Sequence, residues 1–407
     1  MRRFLSLLCL IMILAACGTP EETTPTPQAT EPPAADTPEP PTAVATTAPS
    51  ATPLPVTDAP EPTAVTAPAP TSITGVESGI IVFTSVGDNV ELYALSPGDE
   101  PVRITFGEGY SYGARWSPNG QRIAYFFLDG PTGNVDIWAF DVEASPDPFA
   151  LTTGGTAAEV DWVEWSPDGE FLMYDAPQAD GVEKDIYRIA VPSGEIVNLT
   201  ADNPTWDSSP VWSPDGNWIA FVSDRAEEGK LSDNLWLMDP QGGQVRRLTN
   251  SDATFQEDIG PNWSPDSSQV AFLRISLFGE NAQPDSPSGL WVVDVNTGEE
   301  RLLQALDGFL LGLEAPVWSP DGNWIAYSAP GPADTDIWII PAADGEPINL
   351  SNIPGEDASI SWAPHSQELI FTNTANNGLA QFIVATDGSA PRLLVETGQN
   401  GLGHWSP

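Results

Sequence analysis

The chain has 407 residues, among them 57 Asp and Glu, 14 Lys and Arg, 42 Pro, 15 Trp, two His and two Cys. A formal net charge of −43 argues against a protein that grips nucleic-acid phosphates, and two cysteines exclude a disulfide-stabilised scaffold. The sequence has no glycine-rich phosphate loop, no Gly-x-Ser-x-Gly nucleophile elbow and no His-Glu-x-x-His zinc motif. We therefore expect no cofactor, no metal site and no nucleic-acid partner.

The first residues have the features of an export signal. Arg2 and Arg3 precede an apolar run over residues 4–14, which is too short to span a bilayer as a helix. The run ends in Leu-Ala-Ala-Cys at 14–17, which resembles the lipobox of bacterial lipoproteins. That resemblance implies a signal peptide over residues 1–16 and lipidation of Cys17. An ordinary signal peptide with an incidental cysteine is the alternative.

A tether is predicted between this signal and the folded part. Residues 18–76 contain 15 Pro and 15 Thr and neither Lys nor Arg. Proline at this density blocks helices and sheet ladders, so residues 17–77 are expected to form an extended, disordered spacer behind the lipidated cysteine. The predicted location is outside the cytoplasm, anchored by lipid to the outer face of the cytoplasmic membrane or to the outer membrane.

A Trp-Ser-Pro phrase recurs along the rest of the chain, at spacings of 43 to 55 residues. Its tryptophans are Trp116, Trp165, Trp212, Trp263, Trp318, Trp362 (followed by Ala-Pro) and Trp405. A period of about 48 residues that varies by insertion is typical of β-propeller blades, in which loops absorb the variation.

Each unit carries signals for four short strands. A first strand ends at the tryptophan, and Ser-Pro-Asp-Gly, as at 213–216, predicts a turn because Pro fixes its entry and Asp-Gly tolerates positive φ. A second strand follows, and a fourth ends in a Leu-Thr-like phrase. Between them, the third strands are centred on aromatic residues: Tyr93, Trp138, Tyr187, Trp236, Trp291, Trp338 and Phe382.

The two ends of the repeat region complement each other. Residues 80–105 carry a second, a third and a fourth strand without a first, whereas residues 403–407 form a first strand alone. The last residues should complete the first blade, because an open ring would leave unpaired strand edges. Residues 78–407 are therefore predicted to be an all-β, seven-bladed β-propeller of four-stranded antiparallel blades, with its ring closed by the C-terminal strand.

The repeated phrases resemble the propeller repeats of the TolB family, and related repeats occur in WD-repeat proteins and in propellers attached to serine peptidases. Trp-Ser-Pro-Asp-Gly, Ile-Ala-Phe, Ser-Asp-Arg at 223–225 and Asp-Ile-Trp at 336–338 carry the resemblance, which covers nearly all of residues 79–407. A TolB protein is expected to have six blades and an α/β N-terminal domain. The resemblance therefore implies the fold here, and leaves the partner open.

Most repeated residues are predicted to serve the fold. The motif tryptophans, and the third-strand aromatics with them, should pack as wedges between neighbouring blades. The turn aspartates should accept hydrogen bonds from nearby backbone amides; they are Asp168, Asp215, Asp266 and Asp321. His365 and His404 both occupy positions that the repeat explains, so neither is a strong candidate for catalysis.

Binding residues are expected where a blade departs from the repeat. The loops that join a fourth strand to the next first strand share one face, and they carry aromatic and acidic residues that the motif does not require. The candidate ligand-face residues are Tyr110, Tyr112, Trp162, Trp206, Phe255, Phe309, Asp161, Asp207, Glu257 and Asp258, and further loop acids are Glu108, Glu159, Glu314, Glu356 and Asp357. Aromatics among acids suit a basic peptide loop, a cationic ligand or a sugar. Packing of these aromatics beneath their own loops is the alternative.

Two functions of different kinds fit these features. The first is a membrane-anchored, non-catalytic propeller that binds an envelope or extracellular protein, peptide or glycan. The second is a propeller hydrolase or lyase that acts on glycans or peptides through carboxylates of the same rim. The binding function is favoured by the tether and by the absence of nucleophile motifs.

Overall fold

Seven four-stranded antiparallel sheets form the fold in the computed structural model of the protein. Within the described residues the structure contains strands and turns and no α-helix, so none of it is a helix that could cross a membrane. The structure describes residues 79–86, 90–107, 109–130, 132–142, 147–155, 157, 160, 162–178, 183–201, 203–225, 233–251, 256–276, 287–306, 313–374, 379–395 and 399–407.

The predictions about the N-terminal region lie outside these residues. They are the signal peptide over 1–16, the lipidation of Cys17 and the tether over 17–77. The described residues belong to the second of two units of the chain, Ala67–Pro407.

The first strand of each blade ends at a motif tryptophan, as predicted, and forms one edge of its sheet. These first strands are β4 (Tyr110–Trp116), β8 (Glu164–Trp165), β12 (Asp207–Trp212), β16 (Gln256–Trp263), β20 (Val317–Trp318), β24 (Asp357–Trp362) and β28 (Gln399–Trp405). The second strands are β1 (Ile81–Val86), β5 (Arg122–Leu128), β9 (Phe171–Pro177), β13 (Ile219–Ser223), β17 (Gln269–Ser276), β21 (Trp324–Pro330) and β25 (Glu368–Asn373).

The third strands pair with the second, and short fourth strands form the outer edges. The third strands are β2 (Val90–Leu95), β6 (Val135–Asp141), β10 (Lys184–Ala190), β14 (Asn234–Met238), β18 (Gly289–Asp294), β22 (Thr335–Pro341) and β26 (Ala380–Ala385). The fourth strands are β3 (Val102–Arg103), β7 (Phe149–Ala150), β11 (Ile196–Asn198), β15 (Arg246–Arg247), β19 (Glu300–Ala305), β23 (Ile348–Asn349) and β27 (Arg392–Val395). We number as blade 1 the sheet of β28 with β1–β3, and blades 2 to 7 follow in chain order.

The ring closes as predicted, through the last strand of the chain. β28 pairs antiparallel with β1, with Trp405 opposite Ile81. Beyond the strand, the Ser406 hydroxyl accepts hydrogen bonds from the backbone N–H groups of Gly79 and Ile80, both at 2.9 Å. The two ends of the propeller are therefore held by one ladder, which leaves no open edge between blades 7 and 1.

The core consists of seven apolar clusters, each built from residues of two neighbouring blades. Each contains one motif tryptophan, and these side chains are only 3 to 8% exposed. Three of them also donate their indole N–H to a carbonyl on the preceding first strand: Trp165 to Arg115 at 3.1 Å, Trp263 to Val211 at 3.2 Å and Trp362 to Val317 at 3.0 Å. The predicted role of these residues as wedges between blades is confirmed.

The third-strand aromatics are less buried than the motif tryptophans, since all seven are only half-buried. They lie next to the short outer strands, which cover them incompletely. Several stack within their own blade on a second-strand aromatic, as Tyr93 does on Phe83 with ring centroids 5.9 Å apart and Tyr187 on Tyr174 at 5.3 Å. All seven also pack, as predicted, against the apolar cluster between their own blade and the preceding one, at the margin of the core that the motif tryptophans fill.

Side chains of the repeat secure its turns. The turn aspartates accept backbone N–H groups two residues ahead, as Asp215 does from Asn217 at 3.0 Å, and Asp168, Asp266 and Asp321 make the same bond. The hydroxyl of the Leu-Thr phrase accepts a third-strand N–H, as Thr152 does from Ile137 at 2.9 Å. These bonds satisfy backbone donors near the ends of the strands.

Candidate functional site

The first strands surround the axis of the propeller. Each contacts the first strand of the next blade, around the whole ring and back to the start. Because side chains alternate along a strand, the residue before each motif tryptophan lies on the opposite side of its sheet, toward the next blade, and on a strand that lines the central channel. In ring order from blade 1 these residues are His404, Arg115, Glu164, Val211, Asn262, Val317 and Ser361.

Three adjacent blades place ionisable side chains at this level of the channel. His404 comes from blade 1, Arg115 from blade 2 and Glu164 from blade 3. At the equivalent position, Asn262 and Ser361 accept a backbone N–H from the motif tryptophan of the next blade, at 2.9 and 3.3 Å. At this level the ring therefore has one charged sector, and the other positions carry neutral residues, of which Val211 and Val317 pack against the clusters between blades.

Trp162 completes this sector. In blades 2, 4, 5 and 7 the residue three places before the motif tryptophan forms a bulge with positive φ, at Gly113, Ser209, Gly260 and Ser359. Blade 3 has Trp162 there, and its first strand begins only at Glu164. The indole is 47% exposed and lies against the Arg115 guanidinium, 3.5 Å from the guanidinium carbon to the ring centroid.

Glu314 reaches the same sector from blade 6. Its carboxylate accepts the backbone N–H of Ser359, the bulge residue of blade 7, at 2.6 Å. Its charge also acts on Arg115, which links it electrostatically to the charged sector. We call Arg115, Trp162, Glu164, Glu314 and His404 the channel cluster.

Burial governs the charges of the channel cluster. It raises the pKa of Glu164 to about 7, against the opposing effects of Arg115 and Trp162. It also raises the pKa of Glu314, opposed by the Ser359 N–H and Arg115. Burial and the nearby Arg115 together lower the pKa of His404 to about 3, so this imidazole is neutral at pH 7. Burial lowers the pKa of Arg115 to about 10, which leaves it charged.

A second group of acids lies between blades 6 and 7. One of them is the aspartate five residues before the motif tryptophan of blade 7. In blades 4 and 5 the aspartate at this position pairs with an arginine: Asp207 with Arg225 at 2.6 Å, and Asp258 with Arg274 at 2.6 and 2.8 Å. In blade 7 the equivalent Asp357 accepts from Asn373 at 2.7 Å instead. Burial raises the pKa of Asp357 to about 7, and the nearby carboxylates of Asp336 and Asp334 raise it further.

This carboxyl predicts a pH dependence of stability. Folded Asp357 keeps its proton up to about pH 7, whereas an unfolded aspartic acid loses it near about pH 4. Between these values the folded state binds more protons, so the free energy of unfolding falls as the pH rises. In urea denaturation at pH 8, we expect Asp357→Asn to have a higher free energy of unfolding than the parent chain. At pH 5 the difference between the two should be smaller. Asp99→Asn, at an exposed turn, is the control; equal pH profiles for Asp357→Asn and the parent would contradict the prediction.

The predicted ligand-face residues fall into different surroundings. Tyr110 is 41% exposed at the start of β4, whereas Tyr112 stacks on Phe126 within its blade at 5.5 Å. Trp206 is half-buried, with the Lys184 ammonium 5.5 Å from its ring centroid. Glu257 is half-buried in β16.

The two predicted acids that the structure places inside blades are Asp207 and Asp258. Both have no exposed surface, because each is engaged by an arginine of its own blade. Each carboxylate therefore pairs with an arginine within the fold, and neither is exposed at the surface. Asp161, Phe255 and Phe309 lie outside the described residues.

Among the described residues that the sequence predicted, two belong to the channel cluster: Trp162 and the loop acid Glu314. Arg115 and Glu164 were not identified from the sequence, and His404 was explained by the repeat alone. The signal that would have found them is the residue before each motif tryptophan, which varies in type while its neighbour is constant. In the described part of the chain, no group of three or more His, Cys, Asp or Glu residues is arranged to hold a metal ion.

Comparisons with known proteins agree with this fold. The TolB beta propeller domain family matches residues 96–276 and 234–407. An uncharacterised protein of Agrobacterium fabrum is 32% identical over 166 residues, 41% of this chain and 53% of that protein. Dipeptidyl-peptidase 5 of Porphyromonas gingivalis is 27% identical over 244 residues, 51% of this chain and 33% of that protein. The chain thus spans about half or less of the length of these curated relatives.

Among solved structures, oligogalacturonate lyase from Vibrio parahaemolyticus has a similar fold. The TM-score is 0.58 at 14% sequence identity, over 75% of this chain and 85% of that one. This likeness concerns the fold alone. Since the family matches cover most of the chain, the protein belongs to the TolB beta-propeller domain family.

Proposed function

We propose that this protein is a non-catalytic binding propeller of the bacterial cell envelope. It is exported, held to a membrane by a lipid on Cys17, and presents the channel mouth near Trp162 to a protein or peptide partner. The anchor rests on the Leu-Ala-Ala-Cys sequence and on the Pro- and Thr-rich segment that follows it.

The observation that carries the binding function is the setting of Trp162. Its indole is 47% exposed, although it is held on one side by the buried Arg115 guanidinium. A large aromatic side chain kept in one orientation loses little entropy when a partner covers it, which is the usual property of residues that dominate binding energy. Tyr110, also exposed, begins the first strand that carries Arg115.

The test is partner capture by the immobilised full chain from native envelope extract, with the retained proteins identified by mass spectrometry. We expect a Trp162→Ala/Trp206→Ala variant to lose the partner that the parent chain retains. The matched control is Val245→Ala/Ile196→Ala, which removes two exposed apolar side chains near the outer strands, 42% exposed each. Retention of the same partner by the tryptophan variant would contradict this site, and capture of nothing by the parent chain would count against a protein partner.

A second candidate function is catalytic, acting on peptides or glycans. It is favoured by Glu164, whose pKa burial raises to about 7, since a carboxyl that is protonated near neutral pH can act as a general acid. Dipeptidyl-peptidase 5, one of the relatives, is a peptidase by name. Saturable turnover that Glu164→Gln abolishes without changing the melting temperature would establish this function in place of the first.

A further inference from the structure

Arg115 differs from the other described arginines in what its side chain contacts. Each of the others reaches a carboxylate, amide or main-chain oxygen of a residue other than its chain neighbours within 3.8 Å. Arg115 donates only to the carbonyl of the preceding Ala114, at 3.3 Å. Its Nε has no hydrogen-bond partner, and no carboxylate lies within 4.0 Å of its nitrogens, among the described residues.

This guanidinium is nevertheless deeply placed. Arg115 is only 7% exposed, and Trp162 covers one face of its plane. A stacked guanidinium keeps its N–H edges available, because these point outward in the plane of the group. Beside it, the Nδ1 of His404 is also buried and has no partner in the described part of the chain. Two buried nitrogen atoms without a partner, Arg115 Nε and His404 Nδ1, thus lie in the same charged sector.

A buried cation without an anionic partner is destabilising unless a ligand supplies one. The group that fits a guanidinium edge best is a carboxylate, which is planar and accepts two parallel N–H bonds. A phosphate fits less well, because its double charge would face the carboxyl groups of Glu164 and Glu314. Glu164, when protonated, can also donate a hydrogen bond to a bound carboxylate.

We propose that Arg115 is the anchor for a carboxylate of the peptide partner, inserted into the channel beside Trp162. This inference rests on the proposed binding function, and it names the chemistry that the partner must present. The carboxylate is either the C-terminus of the peptide or an Asp or Glu side chain. The net charge of −43 opposes indiscriminate binding of acids, so recognition of one depends on this single arginine.

The test uses calorimetric titration of the purified full chain with small probes. They are N-acetyl-triglycine, its C-terminal amide, N-acetyl-Gly-Glu-Gly-amide and trigalacturonate. We expect saturable binding, with Kd of about 10 mM or lower, for at least one of the two peptides that carry a carboxylate. The neutral amide should bind at least roughly tenfold more weakly. Comparison of the two affinities shows whether the site prefers a C-terminal carboxylate or a side-chain carboxylate.

Variants assign the effect to Arg115. We expect Arg115→Gln to abolish binding of the acidic peptide and Arg115→Lys, which keeps the charge without the planar edge, to weaken it roughly tenfold. Arg122→Gln, which removes an arginine that pairs with Asp141 elsewhere in blade 2, is the charge control and should bind normally. If Arg115→Gln does not fold, as judged by its melting transition, the lysine variant alone decides the question.

Several outcomes would overturn the inference. They are equal affinity for the acid and the amide, unchanged affinity in both Arg115 variants, no saturable binding of either acidic peptide, or saturable binding of trigalacturonate alone. If the partner were captured through Trp162 but the acidic peptides did not bind, the carboxylate assignment would fail while the proposed binding function stood. If the acidic peptides bound but partner capture through Trp162 failed, the proposed binding function would fail while the carboxylate assignment stood.

Discussion

A chain that ends at Gly401 should lose most of its stability, because removal of residues 402–407 takes away the strand that closes the ring. Trp405 is only 5% exposed in the cluster between blades 7 and 1, and removing a buried tryptophan side chain destabilises a protein by about 3–5 kcal/mol. The Ser406 bonds to Gly79 and Ile80 are lost as well. Since whole domains are stable by only about 5–15 kcal/mol, the truncated chain is expected to melt far below the full chain, or not cooperatively.

The measurement is thermal denaturation of both chains, followed by tryptophan fluorescence and circular dichroism. Deletion of Pro407 alone is the matched control, because this residue is exposed and follows the closing strand. Its melting temperature should equal that of the full chain. An unchanged melting temperature in the chain that ends at Gly401 would refute the role of β28 in closing the ring.

Trp362→Ala should destabilise the fold strongly, with a loss of about 3–5 kcal/mol in the free energy of unfolding. Trp362 is 6% exposed in the cluster between blades 6 and 7. Its indole N–H also donates to the carbonyl of Val317 at 3.0 Å, so the substitution leaves both a cavity and an unpaired buried acceptor.

Trp162→Ala removes an exposed tryptophan side chain from the channel cluster and serves as the comparison. Because Trp162 is 47% exposed, its loss should change the free energy of unfolding by less than about 1 kcal/mol, while partner binding is lost. Urea denaturation of the two variants separates these effects. A similar loss of stability in both would mean that Trp162 is part of the core and would weaken its assignment to binding.

The architecture could be predicted from the sequence because its signals are local and repeated. Ser-Pro-Asp-Gly defines a turn through the φ preference of Pro and Gly, and the motif tryptophan marks the end of each first strand. The closing strand was recognisable because residues 80–105 lack a first strand and residues 403–407 supply one. Each of these predictions needed only short sequence segments and a count of the repeats.

Exposure of individual side chains was less predictable. Asp207 and Asp258 look like rim acids in the sequence, but Arg225 and Arg274 engage them inside blades 4 and 5. The third-strand aromatics resemble the motif tryptophans in type and spacing. They are half-buried because coverage depends on the length of a neighbouring strand, and most fourth strands have only two or three residues.

By itself, the sequence determined the number of blades, their four-stranded pattern, the turn chemistry and the way the ring closes. Only the tertiary structure decided which residues meet in the channel. Arg115, Glu164, Glu314 and His404 come from four blades and are up to 289 positions apart in the chain (404 − 115). Three of them lie on first strands and Glu314 lies just before one. They converge because the seven first strands surround one axis, and no local pattern encodes which side chains meet there.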